Sequence, residues 1–347
     1  MKQACRILIL LVCVASTQAH AQDIHFSQFY NAPFNLNPAL AGQFDGAYRL
    51  VANQRTQWRS ITVPYSTFGL SADARMLRLP DGVLNKRDGN NQPTGWNVGL
   101  SFFTDKAGDS RMKTNVIQLA LGREIQMGLH AHFSPALMVG YTGMNIDYSQ
   151  LTYDNQWNGL VFDQSLDAGE NYSRNARSYL SFAVGGVYRQ TALNDKAFTA
   201  GFSLFNLTNP KQSFFDQNAV RLDLRANVHA QYHFQLSNMW SAEPALLFST
   251  QGTYRELNAG GRIYYTLKNN PWEKQKLYAG VLGRAKDAGY IIAGMQYQEW
   301  EAGISYDINT SGLKPASTGR GGFEFSLVYI IPPPPVPFPV KVCRDWI

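Results

Sequence analysis

The stretch GFEFSLVY, residues 322–329, decides the fold of this chain. In an extended strand, alternate side chains point to opposite faces. One face would carry Phe323, Phe325, Leu327 and Tyr329. The other would carry Gly322, Glu324, Ser326 and Val328. The stretch therefore predicts a strand with one apolar face and one mostly polar face, and the apolar face needs either a protein core or lipid to cover it.

The beginning of the chain indicates export. Two basic residues precede the apolar run 7–12, and the small-residue tripeptide AHA ends at Ala21. This is the pattern of a secretory signal peptide, so we expect cleavage between Ala21 and Gln22. A lipoprotein signal at Cys13 is the alternative, although the apolar stretch before that cysteine is short and the preceding residue is bulky.

Removal of residues 1–21 lowers the formal charge from +6 to 6 − 2 = +4 and leaves Cys343 as the single cysteine. One cysteine cannot form an intrachain disulfide, even in a compartment that permits one. The lysines and arginines are scattered along the sequence and form no basic patch. We therefore expect no nucleic-acid partner.

Hydropathy alone would not reveal a membrane protein here, because the mature chain has no window near the roughly 20 apolar residues of a spanning helix. A membrane-spanning strand needs only about 9–11 residues, of which every second one faces lipid. The 18 Tyr, 20 Phe, 7 Trp and 29 Gly suit such strands, since aromatic residues form the girdles of a barrel and glycines ease its bends.

Alternating segments recur along the whole chain. We predict strands at 45–57, 65–75, 95–104, 112–124, 130–144, 178–190, 197–207, 222–235, 239–250, 254–267, 277–285, 289–298, 300–309 and 321–330. The fold predicted is all-β, a transmembrane antiparallel β-barrel of about fourteen strands spanning 45–330, with periplasmic segments at both ends and outer-membrane lipid around it. A secreted β-sandwich or propeller is the alternative, but no fixed-period repeat supports a propeller.

Connection lengths provide an independent test, since bacterial barrels have short periplasmic turns and longer external loops. If the chain starts in the periplasm, the periplasmic connections include 125–129, 191–196, 236–238 and 298–299, all of them short. The external ones include the long stretches 145–177, 208–221 and 310–320. The exception is 76–94, a long polar loop on the periplasmic side.

Two regions lie outside the strand pattern. Residues 22–44 contain prolines, asparagines and several large apolar residues without a clean period, which predicts an ordered or plugging segment that needs a surface to pack against. Residues 331–347 begin with a proline-rich run that cannot supply ladder hydrogen bonds, so we expect an extended periplasmic tail.

These two ends carry a resemblance to a known family. The opening QDIHFSQFYNAPFNLNPALAG, the following Gln54-Arg55 and Gln57-Trp58-Arg59, and the closing GGFEFSLVYIIP with its proline-rich tail and late Cys343 resemble the PorP/SprF proteins of type IX secretion and gliding in Bacteroidetes. The resemblance runs from about residue 22 to the C-terminus. The last five residues, CRDWI, depart from the Cys-Pro-Arg-Phe-like end of many members.

The resemblance implies a non-enzymatic component of the outer membrane, without cofactors, that supports export or surface anchoring of adhesin-type cargo. Its implied partners are the periplasmic ring and peptidoglycan-associated subunits of the secretion system and the C-terminal domains of secreted adhesins. Candidate partner-binding residues are Phe26, Phe29, Tyr30, Pro33, Asn37, Pro38 and Cys343. A porin for small solutes is the alternative function.

Other chemistry has weaker support in the sequence. The pairs His130/His132 and His229/His233 each share a strand face and could donate two metal ligands, but no further ligand has matching spacing. Asp147, Asp154 and Asp163 do not reproduce a calcium-binding loop. No G-x-S-x-G motif points to a hydrolase.

Charged residues on the predicted strands are candidates for lumen or rim positions, where they could neutralise one another. They are Arg49, Arg55, Arg59, Arg123, Glu124, Arg189, Arg225, Arg262 and Arg284.

Overall fold

The computed structural model describes residues 26–57, 64–75, 95–108, 110–128, 130–170, 174–192, 196–214, 220–270, 273–310 and 320–332. Its strands are β1 (Tyr48–Gln57), β2 (Tyr65–Arg75), β3 (Trp96–Ala107), β4 (Met112–Arg123), β5 (Ile125–Gln126), β6 (Ala131–Asn145), β7 (Ala176–Ala192), β8 (Lys196–Phe205), β9 (Arg225–Gln235), β10 (Trp240–Gln251), β11 (Tyr254–Asn269), β12 (Lys274–Arg284), β13 (Ala288–Tyr297), β14 (Trp300–Asn309) and β15 (Arg320–Ile331). The signal-peptide region, the loop 76–94 and the tail with Cys343 lie outside the described residues.

The strands form one closed antiparallel sheet. Each strand pairs with its neighbours in chain order, and β1 pairs with β15, so that Ala52 lies opposite Leu327. The short strand β5 continues β4 after an interruption at Glu124, and both pair with β6. The sheet is therefore a barrel with fourteen crossing strands, as the sequence predicted, and a sandwich or propeller is excluded.

The alternation in the sequence matches the two faces of the barrel wall. Phe323 and Phe325 are 49% and 38% exposed on the outside, whereas Glu324 between them is fully buried in the lumen. Aromatic pairs stand at the strand ends, with Trp300 stacked on Tyr329 at 4.2 Å between ring centroids. An outer face that is apolar along its whole circumference and bordered by aromatic residues is the surface of a membrane barrel.

The helical elements are short. An α-helical turn, α1 (Pro33–Leu36), lies between 3-10 turns at Phe29–Asn31 and Pro38–Leu40, and two further 3-10 turns lie at Tyr148–Gln150 and Asp154–Gln156. In the described ranges, no helix is long and apolar enough to cross a membrane.

The two ends of the barrel differ. At the terminal end, where β1 begins and β15 finishes, the described connections are short turns such as those joining β9 to β10 and β13 to β14. At the opposite end, which we call the loop end, β6 and β7 are 30 residues apart in sequence and β8 and β9 are 19 apart, and the described parts of these two longer connections are 146–170, 174–175, 206–214 and 220–224. This distribution agrees with the predicted parity of short and long connections.

One of the charges predicted for the lumen or rim lies at the rim and points outward. Arg123 is exposed on the outer face near the terminal end, with its guanidinium 5.7 Å from the ring centroid of Trp96. Because β4 places odd-numbered residues outward at this point, Arg123 alternates with the inward Gly122 and Glu124. Arg59 lies outside the described residues.

Candidate functional site: a plugged lumen

Residues 26–44, which we call the plug segment, lie inside the barrel. The sequence predicts an ordered or plugging segment here, and the structure shows these residues plugging the lumen; the periplasmic position expected for the segment does not hold for residues 26–44. Prolines 33 and 38 each begin a short helical turn, since proline fits the first position of a helix but cannot continue a β ladder. The segment therefore folds into three tight turns and cannot join the wall as another strand.

The beginning of the plug segment is held near the loop end by three charged residues, Arg55, Asp307 and Glu324, which we call the latch. The carboxylate of Glu324 accepts hydrogen bonds from the backbone N–H groups of Ser27 and Gln28 at 2.7 and 2.9 Å. The Ser27 hydroxyl donates to Asp307 at 2.7 Å. Arg55 forms ion pairs with Asp307 at 2.7 Å and with Glu324 at 3.0 Å.

All three members of the latch are buried, with Arg55 only 1% exposed. A charge removed from water is costly unless it is paired and hydrogen-bonded. Here the two carboxylates share one guanidinium, and the backbone amides of the plug segment satisfy the remaining oxygen atoms of Glu324. The plug segment therefore lowers the free-energy cost of burying these charges.

Asn37 holds the middle of the plug segment. Its side-chain Nδ2 donates to the backbone carbonyls of Phe202 at 2.9 Å and Gly186 at 3.2 Å, while its Oδ1 accepts from Ala39 N at 2.9 Å. A Cβ atom at Gly185 would lie 2.0 Å from Asn37 Oδ1. Only a glycine at this wall position leaves room for the asparagine.

Wall side chains also satisfy the backbone of the plug segment. The carbonyl of Leu36 accepts hydrogen bonds from Ser203 Oγ at 2.8 Å and Asn227 Nδ2 at 2.9 Å. Asn53 Nδ2 donates to the carbonyl of Asn31 at 2.8 Å. Buried backbone groups need such partners, so the polar inner face of the barrel supplies what a regular helix or sheet would otherwise provide.

Apolar side chains fill the remaining space. Phe34 occupies the gap left by Gly99, where a Cβ atom would lie 2.0 Å from its ring. Phe26 packs on Phe103 with ring centroids 6.1 Å apart. Phe29 belongs to a cluster of inward residues from β10 to β13. These contacts place the large apolar residues of the segment against the wall and away from water.

The plug segment ends at the terminal end with a second set of polar contacts. Gly42 N donates to Asp73 at 2.8 Å, and Arg49 pairs with the same carboxylate at 2.9 Å.

Tyr30, near the beginning of the plug segment, lies under the guanidinium of Arg262, which is 3.6 Å from the centroid of the Tyr30 ring. Burial raises the pKa of the Tyr30 phenol well above its ordinary range, which keeps it neutral.

Together these contacts surround the plug segment. It is hydrogen-bonded to β1, β2, β6–β9, β14 and β15, and it packs through apolar groups against β3, β4 and β10–β13. The lumen is therefore occupied by the chain itself from near the loop end towards the terminal end. A chamber of about 840 Å³ remains on the terminal side of the plug segment.

The predicted partner-binding residues are mostly enclosed. Phe26, Phe29, Pro33, Asn37 and Pro38 are buried in the lumen. Tyr30 is partly exposed to the chamber, and Cys343 lies outside the described residues. The described residues of this set lie close together because they belong to the plug segment. Their contact with a partner protein stays a prediction.

The paired histidines contact other side chains. His229 Nε2 lies 3.2 Å from Asn37 Nδ2, and His233 Nδ1 lies 3.4 Å from Glu243. His132 contacts Gln43 at 3.1 Å, while His130 is exposed. Across the described part of the chain, no three His, Cys, Asp or Glu side chains are grouped as metal ligands would be.

Sequence reasoning did not identify the partnership between Ser27, Gln28 and the latch. The available signal was the carboxylates at 307 and 324 on the polar faces of β14 and β15. A buried carboxylate needs a cation and donors. The sequence nevertheless gave no indication that a segment almost 300 residues earlier supplies them.

The chain matches the family model described as "Type IX secretion system membrane protein PorP/SprF" over residues 18–329. No curated protein matches it. Among solved structures, it is similar to the Pseudomonas putida toluene transporter TodX, at 11% identity over 89% of this chain and 94% of that chain, with a TM-score of 0.48. It is also similar to the monoaromatic hydrocarbon channel CymD, at 10% identity over 86% of this chain and 92% of that chain, with a TM-score of 0.48. Similarity at this level of identity and TM-score gives no evidence about transport by this chain.

Proposed function

Because the chain belongs to the PorP/SprF family of type IX secretion system membrane proteins, we propose that it is a non-enzymatic outer-membrane component of that system. It supports the export or surface anchoring of adhesin-type cargo, and it acts by binding other proteins. Family membership supports the secretion role, and the occupied lumen supports action through protein contacts.

The observation that carries this proposal is the plug segment. A diffusion porin has a water-filled lumen, whereas this barrel has buried side chains and backbone in its centre, held by the latch and by Asn37. The alternative function, a small-solute porin, would require those contacts to be absent or to open. The barrel serves best as a rigid membrane platform.

The two ends of the platform offer different surfaces. The short turns at the terminal end are typical of the periplasmic side and the long connections at the loop end of the cell exterior. We therefore assign cargo contacts to the loop end. Contacts with the periplasmic ring and peptidoglycan-associated subunits are assigned to the terminal end, where β2 ends at Arg75 and β15 ends at Ile331.

Conductance tests the occupied lumen. Purified protein in planar bilayers should show no steady single-channel conductance. A variant lacking residues 26–44 should insert as a barrel and conduct, since deletion removes the groups that fill the lumen. Deletion of residues 333–347 is the matched control and should leave the barrel closed. A reproducible open channel in the unaltered protein, with no co-purifying partner, contradicts the proposal.

Partner capture tests the secretion role. An affinity tag after Gly159, beside the 85% exposed Leu160 of a loop-end connection, should recover periplasmic ring and peptidoglycan-associated subunits that mass spectrometry can identify. The variant lacking 333–347 should lose them while the barrel stays assembled. Recovery of the barrel alone under native conditions would argue against a role in the secretion machinery.

A further inference from the structure

The chamber at the terminal end is a formed cavity with walls of two kinds. Its volume is about 840 Å³, which is within the range of ligand-binding sites. Tyr30, Pro33, Leu36 and Leu40 of the plug segment form one side, and inward residues of the barrel wall form the other. The chamber therefore combines a mainly apolar floor with polar walls, and it faces the terminal end of the barrel, where β1 begins and β15 ends.

The acidic groups of the chamber are already paired. Asp45 lies 3.1 Å from Arg189. Glu301 lies 3.4 Å from Arg262, which also contacts Glu243. Two arginines therefore offset most of the negative charge of these three carboxylates, since Glu243 and Glu301 share the guanidinium of Arg262.

Three lysines of the chamber have no such partner. Lys196, Lys274 and Lys276 line it, and among the described residues none of their side-chain ammonium groups forms an ion pair or hydrogen bond. Lys274 and Lys276 share the inward face of β12, and Lys276 lies opposite Gln296 of β13. Because these charges are unpaired at a cavity mouth, the field in the chamber is positive.

The remaining polar groups are mostly amides. Gln231, Gln235, Gln296 and Asn269 line the wall. An amide side chain both donates and accepts hydrogen bonds, as a peptide backbone does. Phosphate or another compact anion needs donors alone, so this mixture of lysines, amides and an apolar floor matches a polypeptide with acidic side chains.

We propose that this chamber is a binding site for an acidic polypeptide segment of a partner protein, which enters from the terminal end. The inference rests on the proposed function, whose periplasmic contacts it makes specific. The chain's own tail is a poor match in charge, since Lys341 and Arg344 outnumber the single acidic residue Asp345 in residues 331–347. A separate protein supplies the segment.

Binding of a fluorescent hexaglutamate peptide to the purified full-length barrel tests the site. Fluorescence anisotropy should detect binding of hexaglutamate and no binding of hexalysine. The triple variant K196Q/K274Q/K276Q should bind hexaglutamate about tenfold more weakly, because attractions to three partly exposed ammonium groups are lost. The affinity of the unaltered protein should also fall as salt is added.

A second triple variant, which loses the same number of positive charges at the loop end of the barrel, is the matched control. K113Q/K211Q/K286Q removes three lysines near the loop end and should bind hexaglutamate as the unaltered protein does. Heat-modified migration on gels verifies that both variants are folded barrels. The inference is overturned if the two triple variants bind equally, or if hexametaphosphate competes as well as unlabelled hexaglutamate, which would make the chamber a general anion site.

Bilayer recordings on the same preparations separate the two proposals. A closed barrel that fails to bind hexaglutamate overturns the acidic-segment site and leaves the secretion role standing. An unaltered barrel that conducts steadily overturns the proposed function, whatever the peptide does.

Discussion

At the residue scale, the latch depends on two strands and a distant segment at once. Glu324 is fully buried and accepts from Ser27, Gln28 and Arg55. Removing one member of a buried charge network leaves the others without compensation. The latch is thus both a site of high local stability and a point at which a single change can release the plug segment.

We expect Glu324→Ala to lower the free energy of unfolding by about 3 kcal/mol, because Arg55 keeps a single carboxylate and two plug amides lose their acceptor. Urea titration of the barrel in lipid vesicles measures the change, and hydrogen exchange should quicken at the amides of Ser27 and Gln28. Glu299→Ala, at an exposed turn position, is the control. Equal effects of both substitutions would show that the latch contributes nothing specific.

The glycine under Phe34 gives a second prediction at this scale. In Gly99→Ala the new Cβ would meet the Phe34 ring at 2.0 Å, so the ring must move and overpacking should cost about 1–3 kcal/mol. Gly289→Ala is the matched control, since nothing lies within 4 Å of a Cβ there. Hydrogen exchange of residues 33–36 should rise in the first variant and stay unchanged in the second. Faster hydrogen exchange in Gly289→Ala than in Gly99→Ala would refute the packing of Phe34 against Gly99.

At the element scale, the strands are defined by which face meets lipid. Ile304 is 47% exposed on the outer face of β14, whereas its neighbour Ser305 is 2% exposed in the lumen. A one-residue shift would exchange these environments along the whole strand. The period of two therefore fixes which residues of each strand face the lumen and which face lipid.

The free-energy cost of placing a charged side chain on the outer face of a strand should depend on how deep in the membrane that side chain lies. Ile304→Arg, near the middle of β14, should destabilise the barrel by about 2–4 kcal/mol, while Ile308→Arg near the loop end should cost about 1 kcal/mol or less. Both positions point outward and are similarly exposed, at 47% and 43%. Urea titration in vesicles compares them. Identical costs would place β14 outside a membrane.

At the scale of the whole molecule, closure joins the first strand to the last. The pairing of β1 with β15 leaves no free sheet edge, which a bilayer requires because lipid offers no hydrogen bonds. Closure also brings Arg55 beside Asp307 and Glu324, and thereby creates the latch.

Crosslinking across this seam tests closure. In a Cys343→Ser background, Ala52→Cys with Leu327→Cys should form a disulfide on oxidation, because these residues are direct partners on the outer face. Ala52→Cys with Phe323→Cys is displaced by four residues, or about 13 Å, and should not form one. Mass spectrometry of tryptic peptides identifies the crosslink. A preference for the displaced pair would mean a different register.

The sequence predicted the number of strands and the sidedness of their residues well, because alternation is a local property. It placed Phe323 and Phe325 outward and Glu324 inward correctly. It left Arg123 open between lumen and rim, and only the structure shows that this residue lies at the outer rim beside Trp96.

By itself, the amino-acid sequence determined the wall: fourteen alternating strands, their faces and the short and long connections between them. Only the tertiary structure decided where residues 26–44 lie and what they bind. A strand face follows from residues two apart, whereas the contacts of Ser27 with Asp307 and Glu324 span almost 300 residues and exist only once the barrel closes. The distinction between an open pore and a plugged platform was therefore decided by long-range packing.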